Sequence, residues 1–164
     1  MTANALIAAA RRLKLMAFDV DGIFTDGKLY YGPDGEAMKA FHVHDGHGLK
    51  KLARDGVTLA LITGRQSGMV LARAKELGIE HVIQGRDDKA VALSALADEL
   101  GIEQACCGYA GDDEPDQPAL EWAALAFSVP NGQASAKDAA DYVTNRSGGD
   151  GAVREICDLI LSAR

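Results

Sequence analysis

Residues 13–25 read Leu13-Lys14-Leu15-Met16-Ala17-Phe18-Asp19-Val20-Asp21-Gly22-Ile23-Phe24-Thr25. The apolar run 13–18 is typical of a buried strand, and two carboxylates follow it at once. Asp19 and Asp21 begin on the same side of the chain because strand side chains alternate between faces, and Gly22 permits a sharp turn after them. Two like charges this close require a shared proton, a cation such as Mg²⁺ or a cluster of basic side chains. A pair of solvated acids at a strand end is the alternative for an isolated Asp-x-Asp.

The composition is that of an ordinary globular protein. The chain has 164 residues, 48% of them hydrophobic and 25% charged, which predicts one domain over residues 1–164. A formal net charge of −7 argues against nonspecific nucleic-acid binding. No apolar stretch approaches the roughly 20 residues that cross a bilayer, and the first apolar segment precedes Arg11 and Arg12, which is the wrong order for a secretory signal. We therefore expect a cytoplasmic protein that binds neither nucleic acid nor membrane.

The cysteines support the same compartment. There are three, Cys106, Cys107 and Cys157, and two of them are adjacent in an apolar run. An odd number in this arrangement is typical of reduced, buried cysteines rather than of a disulfide framework.

A strand followed by a helix repeats along the chain. The predicted pairs are 57–62 with 67–77, 81–83 with 87–100, and 105–109 with 115–124. Further helices are predicted over 3–12 and around 153–160, and Gly78 and Gly101 are expected to end two of the helices. Such alternation predicts an α/β fold, with a doubly wound, Rossmann-like and mostly parallel sheet. Ligands of open sheets of this kind bind beyond the carboxyl ends of the strands, where Asp19, Thr63 and Asp112 each fall.

One segment interrupts the alternation. Residues 28–31 and 37–43 read as two strands around the turn Gly32-Pro33-Asp34-Gly35-Glu36, which predicts a β-hairpin at about 28–43. A lone hairpin is marginally stable and exposes its edges, so we expect it to pair with the same hairpin of other subunits. Packing on its own domain is the alternative.

Three later segments add polar groups at strand ends. Thr63 comes from a buried strand into Gly64-Arg65 beside a helix start, a place suited to a phosphate oxygen. Lys89 lies near the start of the next predicted helix, after Asp87 and Asp88, and Gly111-Asp112-Asp113-Glu114-Pro115-Asp116 forms an acidic loop. Taken singly, these residues could be a helix cap, a surface charge and a decoration of a first helical turn.

The order of these segments resembles the four motifs of the haloacid dehalogenase superfamily of phosphatases. The pattern is Asp-x-Asp-Gly-x-x-Thr from Asp19, then Thr63, then Lys89, then Gly-Asp-Asp-x-x-Asp from Gly111. More narrowly, residues 39–50, 62–65, 142–144 and 148–160 resemble the family of 3-deoxy-D-manno-octulosonate 8-phosphate (Kdo 8-phosphate) phosphatases.

The resemblance implies a catalytic role for each motif. Asp19 would attack phosphorus to form an aspartyl-phosphate, and Asp21 would protonate the leaving sugar oxygen and then activate water. Mg²⁺ would be held by Asp19, the backbone carbonyl of Asp21 and Asp112. Thr63 and Lys89 would bind the transferring oxygens, and Asp113 and Asp116 would orient the acidic loop and Lys89.

The resemblance also implies how the substrate and the subunits are arranged. The substrate would be a small sugar-acid phosphate, and its binding residues would be Asp21, His42, Val43, His44, Asp45, Gly46, Lys50, Gly64, Arg65, Arg73 and Lys89. The family forms homotetramers through the hairpin. Only the 25 residues 64–88 separate Thr63 from Lys89, which leaves no room for a cap domain, so a neighbouring hairpin would close each site.

Two features depart from many relatives. His44 stands where an arginine is expected, and the chain stops at Arg164 without a longer tail. Both concern the identity of the sugar, so a phosphatase for a nine-carbon sugar-acid 9-phosphate is an alternative. The residues also allow a zinc-type cluster of His42, His44 and His47 with Asp45, a phosphoacceptor signalling domain, or a catalytically idle subunit.

Overall fold

Strands and helices alternate along the chain, and the computed structural model describes all residues, 1–164. The helices are α1 (Ala3–Arg12), α2 (Val43–Arg54), α3 (Gly68–Leu77), α4 (Lys89–Leu100), α5 (Gln117–Trp122), α6 (Ala134–Ala139) and α7 (Ala152–Ser162). The strands are β1 (Leu15–Phe18), β2 (Tyr30–Gly32), β3 (Gly35–Met38), β4 (Thr58–Thr63), β5 (His81–Gln84), β6 (Cys107–Ala110), β7 (Leu125–Ser128) and β8 (Tyr142–Val143).

Six strands form one parallel sheet in the order β5-β4-β1-β6-β7-β8. Residues on β1 alternate between two cores, since Met16 and Phe18 pack with α1, α2, α3 and α7, whereas Leu15 and Ala17 pack with α4, α5 and α6. A strand buried on both faces is what a doubly wound sheet requires. The predicted α/β fold is confirmed.

The predicted helix ends are also confirmed. Gly78 and Gly101 follow α3 and α4 with φ of 75° and 64°. This left-handed conformation costs glycine little, and it lets the chain leave the helix toward the next strand.

The hairpin is shorter than predicted. β2 and β3 pair as a separate two-stranded sheet over 30–38, and the expectation that strand structure continues to Val43 is wrong. The His42 ring accepts a hydrogen bond from the His44 backbone N–H (3.2 Å) and caps α2, which begins at Val43. A helix cap therefore replaces the end of the expected strand.

The cysteines are all free, and Cys107 and Cys157 are buried. Cys106 is only half-buried, so the core assignment is wrong for that residue. It lies in the 3₁₀ turn Gln104–Cys106 before β6, where one side of the turn faces outward. None of the helices combines the length and hydropathy needed to span a membrane.

Candidate active site

A polar cavity of about 310 Å³ lies beyond the carboxyl ends of β1, β4 and β6. β1 lies between β4 and β6, with Phe18 paired to Leu61 and to Ala110, so the residues that follow these strands share one rim. The cavity is lined by Asp19, Asp21, Gly27, Thr63, Gly64, Arg65, Asp87, Lys89, Asp112, Asp113, Pro115 and Asp116. The sequence motifs therefore meet in one place, as the strand order requires.

A buried lysine joins two acidic motifs at the floor of this cavity. The Lys89 ammonium nitrogen lies 2.9 Å from Asp19 Oδ1 and 2.7 Å from Asp116 Oδ1. Asp116 is fully buried, and its oxygens also accept hydrogen bonds from the Tyr109 hydroxyl (2.7 Å) and from the backbone N–H groups of Asp112 and Asp113 (3.0 and 3.1 Å). Asp116 thus orients both Lys89 and the acidic loop.

The electrostatics of the cavity favour a cation. Burial, reinforced by the charge of Asp116, raises the pKa of Asp19 well above its usual value, although Lys89 opposes the shift. Burial and the charges of Asp116 and Asp113 raise the pKa of Asp112 to about 7. Both shifts report carboxylates whose negative charge is poorly compensated.

The donor set fits Mg²⁺. Carboxylate oxygens of Asp19, Asp112 and Asp116 lie within 4.8 Å of one another, and buried Asp112 Oδ1 has no hydrogen-bond partner. Hard divalent cations take such oxygens as ligands. Because the oxygens of Asp116 already accept four hydrogen bonds, Asp19 and Asp112 are the carboxylates free to hold the ion.

The loop after β1 is held tightly against the acidic loop and the C-terminal segment. Gly22 has φ of 92°, and a Cβ there would overlap the Asp112 carboxylate. The Asn131 side-chain amide donates to the Gly22 carbonyl (3.1 Å), and its oxygen accepts from the Gly148 backbone N–H (2.8 Å). A Cβ on Gly148 would in turn overlap the Gly22 carbonyl. These contacts fix the backbone that carries Asp19 and Asp21.

Thr63 and its glycine neighbour shape the opposite wall. Thr63 is 3% exposed, and its hydroxyl oxygen accepts a hydrogen bond from the Arg65 backbone N–H (3.3 Å). A Cβ on Gly64 would lie 2.6 Å from Asp87 Oδ1, so any larger residue there would require the Asp87 side chain to shift. Thr63 and Gly64 thus line the cavity together with Lys89, and a hydroxyl beside an ammonium group suits phosphate oxygens.

The Asp21 side chain is held from the hairpin, which the sequence did not predict. Lys39 donates to Asp21 Oδ1 and lies 2.8 Å from Glu36 Oε1. Arg65 Nε lies 3.7 Å from Asp21 Oδ2, and its Nη2 lies 3.4 Å from Glu36 Oε2. Lys39 is the first residue of the segment 39–50 that resembles the family, but nothing in the sequence indicates that Lys39 or Glu36 lies beside Asp21, because this pairing depends on tertiary packing.

Seven predicted substrate residues do not line this cavity. They are His42, Val43, His44, Asp45, Gly46, Lys50 and Arg73. Six of them lie at the start of α2 or on it, and Arg73 on α3 packs over the Phe41 ring and lies 2.8 Å from Glu76. Their assignment to the substrate remains a prediction.

The histidine cluster considered as a metal site does not form. His44 and His47 are exposed, and Asp45 Oδ1 instead accepts a hydrogen bond from the Arg154 backbone N–H (2.8 Å), which ties α2 to α7. The one group of metal-ligating side chains in the structure is the carboxylate set around Asp19.

Comparison with known proteins identifies relatives over nearly the whole chain. Residues 79–156 match the model of haloacid dehalogenase-like hydrolases. The Kdo 8-phosphate phosphatase of Escherichia coli (strain K12) is 42% identical over 159 residues, covering 97% of this chain and 85% of that protein. The Yersinia pestis phosphatase is 41% identical over 162 residues, covering 99% and 87%.

Two solved structures share the fold of this chain over most of its length. The Kdo 8-phosphate phosphatase of Moraxella catarrhalis, in complex with magnesium, phosphate and Kdo, is 51% identical with a TM-score of 0.97 and covers 99% of this chain and 94% of its own. The cobalt-bound enzyme of Haemophilus influenzae is 37% identical with a TM-score of 0.92, covering 94% and 91%. This chain therefore belongs to the Kdo 8-phosphate phosphatase family of haloacid dehalogenase-like hydrolases.

Proposed function

We propose that this protein is a Mg²⁺-dependent phosphatase that hydrolyses Kdo 8-phosphate to Kdo and inorganic phosphate, a step in making the lipopolysaccharide precursor. The observation that supports it most strongly is the cavity in which Asp19, Lys89 and Asp112 meet at the carboxyl ends of the central strands. The identity of the substrate is inferred from the family to which the chain belongs.

Asp19 is the nucleophile in this proposal. A carboxylate oxygen of Asp19 forms a bond to phosphorus, and the bond from phosphorus to the sugar oxygen breaks. Lys89 and Thr63 bind the oxygens of the transferring group and balance the charge that develops there. Mg²⁺, held by Asp19, Asp112 and the Asp21 backbone carbonyl, supplies electrostatic stabilisation of phosphate in the site.

Asp21 moves the protons. It gives a proton to the departing sugar oxygen, and in the second half-reaction it takes one from the water that attacks the aspartyl-phosphate. The phosphorus–Asp19 bond then breaks and phosphate leaves. An Asp that only stored the phosphoryl group, as in a signalling domain, would not require a second carboxyl group to transfer protons.

We further propose a homotetramer with each active site at a subunit interface. The sheet formed by β2 and β3 has no other strand beside it, and four large apolar side chains on or beside it are exposed: Leu29 (45%), Tyr30 (38%), Tyr31 (66%) and Met38 (58%). A patch of this kind marks an interaction site. The hairpin of a neighbouring subunit would then close each cavity.

We place the enzyme in the cytoplasm, and this proposal rests on its unpaired cysteines.

The test of function is phosphate release from Kdo 8-phosphate beside nine-carbon sugar-acid 9-phosphates and neutral hexose phosphates. Each substrate is assayed with Mg²⁺ and with a chelator, and Asp19→Asn is the blank. We expect rapid release from Kdo 8-phosphate that depends on both Mg²⁺ and Asp19. A higher kcat/KM for a nine-carbon acid would reassign the substrate, and no release from any compound would reject a phosphatase.

A further inference from the structure

Lys39 directly follows strand β3, and its side chain is buried beside a largely exposed hairpin. Its side chain is 1% exposed, whereas Tyr31 and Met38 of the same hairpin are 66% and 58% exposed. Burying a lysine costs side-chain entropy and the hydration of its charge. Pairing of hairpins between subunits does not require Lys39 to be buried. The burial of this side chain therefore needs another explanation.

The partners of Lys39 point to one. Its ammonium group contacts Asp21 Oδ1 and lies 2.8 Å from Glu36 Oε1. Arg65 contacts the other oxygen of each carboxylate. Its Nε lies 3.7 Å from Asp21 Oδ2, and its Nη2 lies 3.4 Å from Glu36 Oε2. The two carboxylates and two cations therefore alternate in a closed ring, in which each oxygen of Asp21 faces one cation.

Lys39 is the group that donates a hydrogen bond to the Asp21 carboxylate. An Asp side chain without such a partner samples several rotamers, and few of them direct an oxygen toward a leaving group in the cavity. Lys39 does not itself line the cavity, so it acts on the reaction through Asp21.

We propose that Lys39 is a positioning residue that fixes the side-chain carboxyl group of Asp21, so that this group in its protonated form can pass its proton to the leaving oxygen of the substrate. This inference rests on the proposed function, in which the phosphorus–oxygen bond to the sugar breaks while the Asp21 proton moves to that oxygen. The hairpin then has a role within its own subunit in addition to any role in assembly. Glu36 holds Lys39 and Arg65 in place around Asp21.

The test compares leaving groups in Lys39→Met, which keeps an unbranched side chain one atom shorter and removes its charge. The departing sugar oxygen needs a proton, whereas the phenolate of 4-nitrophenyl phosphate is stable without one. We expect kcat/KM to fall by about tenfold or more for Kdo 8-phosphate and by less than about threefold for 4-nitrophenyl phosphate. Lys39→Arg should restore most of the loss.

A double-mutant cycle gives a second readout. If Lys39 acts through Asp21, Lys39→Met should cause no further loss in an Asp21→Asn background. The matched control is Lys28→Met, because Lys28 lies just before the hairpin and makes only an exposed ion pair with Asp26 (3.1 Å). Assembly is checked by sedimentation for each variant.

Equal losses on both substrates, no loss on either, or additive losses with Asp21→Asn would overturn the inference. Should Lys39→Met fail to fold, Glu36→Gln loosens the same ring and must show the same selectivity for the sugar phosphate. The proposed function fails separately, if the wild-type protein does not hydrolyse Kdo 8-phosphate. Lys39 is then tested on whichever alkyl phosphate the wild type accepts.

Discussion

The Lys89 ammonium group lies 2.9 Å from the Asp19 carboxylate, and both side chains are buried. Burial alone lowers the pKa of Lys89, but Asp19 and Asp116 outweigh it and the net pKa is raised. The lysine is therefore held as a cation next to the nucleophile. It limits the electrostatic cost of the acidic floor in the absence of substrate, and in the proposed reaction it also meets the phosphate.

Replacing Lys89 tests this double role. In Lys89→Met the carboxylates of Asp19 and Asp116 stay buried without their cation, so we expect the free energy of unfolding to fall by about 3–5 kcal/mol and activity to be lost. Urea unfolding measures the first effect. Lys75→Met on the exposed face of α3 is the control and should change stability by less than about 0.5 kcal/mol. A fully stable Lys89→Met protein would contradict the ion-pair account.

The raised pKa of Asp112 predicts that the stability of the metal-free protein depends on pH. Its folded pKa is about 7 against 3.8 for the free side chain, so between these values the folded state holds a proton that the unfolded state has lost. This group therefore lowers the free energy of unfolding as the pH rises from about 4 to 7, by an amount on the order of 2–4 kcal/mol.

Asp112→Asn isolates that effect. With chelator present, the variant should be more stable than the wild type at pH 7, and the margin should shrink toward pH 4, where both side chains are neutral. Urea unfolding across this range is the measurement. A margin that does not change with pH would show that Asp112 is not the titrating group.

Mg²⁺ should offset much of this difference in stability between the two proteins. The ion binds the ionised carboxylates of the folded protein, so a concentration of 100 times Kd should stabilise the wild type by about 2.7 kcal/mol. Asp112→Asn lacks a charged ligand and should show little rise in Tm on addition of Mg²⁺. An equal rise in both proteins would place the ion elsewhere.

Gly148 tests the contact that holds the loop after β1. A Cβ at this position would overlap the backbone carbonyl of Gly22, so Gly148→Ala should destabilise the protein by about 1–3 kcal/mol and lower activity. Gly68→Ala is the matched control, since open space surrounds a Cβ there, and it should be neutral or slightly stabilising. Similar unfolding midpoints for the two variants would argue against the close packing of Gly148.

The exposed hairpin predicts assembly. Tyr31→Asp places a charge on a side chain that is 66% exposed in the single chain, so it should leave the fold of the monomer intact and weaken subunit association. Sedimentation velocity should show a tetramer for the wild type and smaller species for the variant. A wild type that sediments as a monomer would contradict the proposed interface.

Sequence alone predicted the sheet and the motif-bearing strand ends, because β1 is uniformly apolar and the polar residues follow the strands directly. It did not predict β7, β8 or α6, since Leu125–Ser128 and Tyr142–Val143 are short and lie among small residues without a clear period. The predicted hairpin was also too long at its C-terminal end, because the hydrophobic pattern of the sequence does not show that His42 caps a helix.

The site was predictable where a motif exists and not where contact depends on tertiary packing. Asp19, Thr63, Lys89 and Asp112 are marked by their place after strands or at a helix start. Lys39 and Asn131 reach the loop after β1 from 18 and 109 residues away in sequence, and the sequence does not indicate either of these contacts. Substrate residues on α2 were predicted from the resemblance alone, and one chain does not bring them to the cavity.

The most direct test of the central claim is to trap the phosphorylated enzyme. Protein quenched in acid during turnover of Kdo 8-phosphate with Mg²⁺ is reduced with borohydride, which converts an aspartyl-phosphate to homoserine, and the peptides are sequenced by mass spectrometry. We expect homoserine at position 19 in the wild type and none with chelator or in Asp19→Asn. Turnover without modification at position 19, or modification of another carboxylate, would contradict the assignment of Asp19 as the nucleophile.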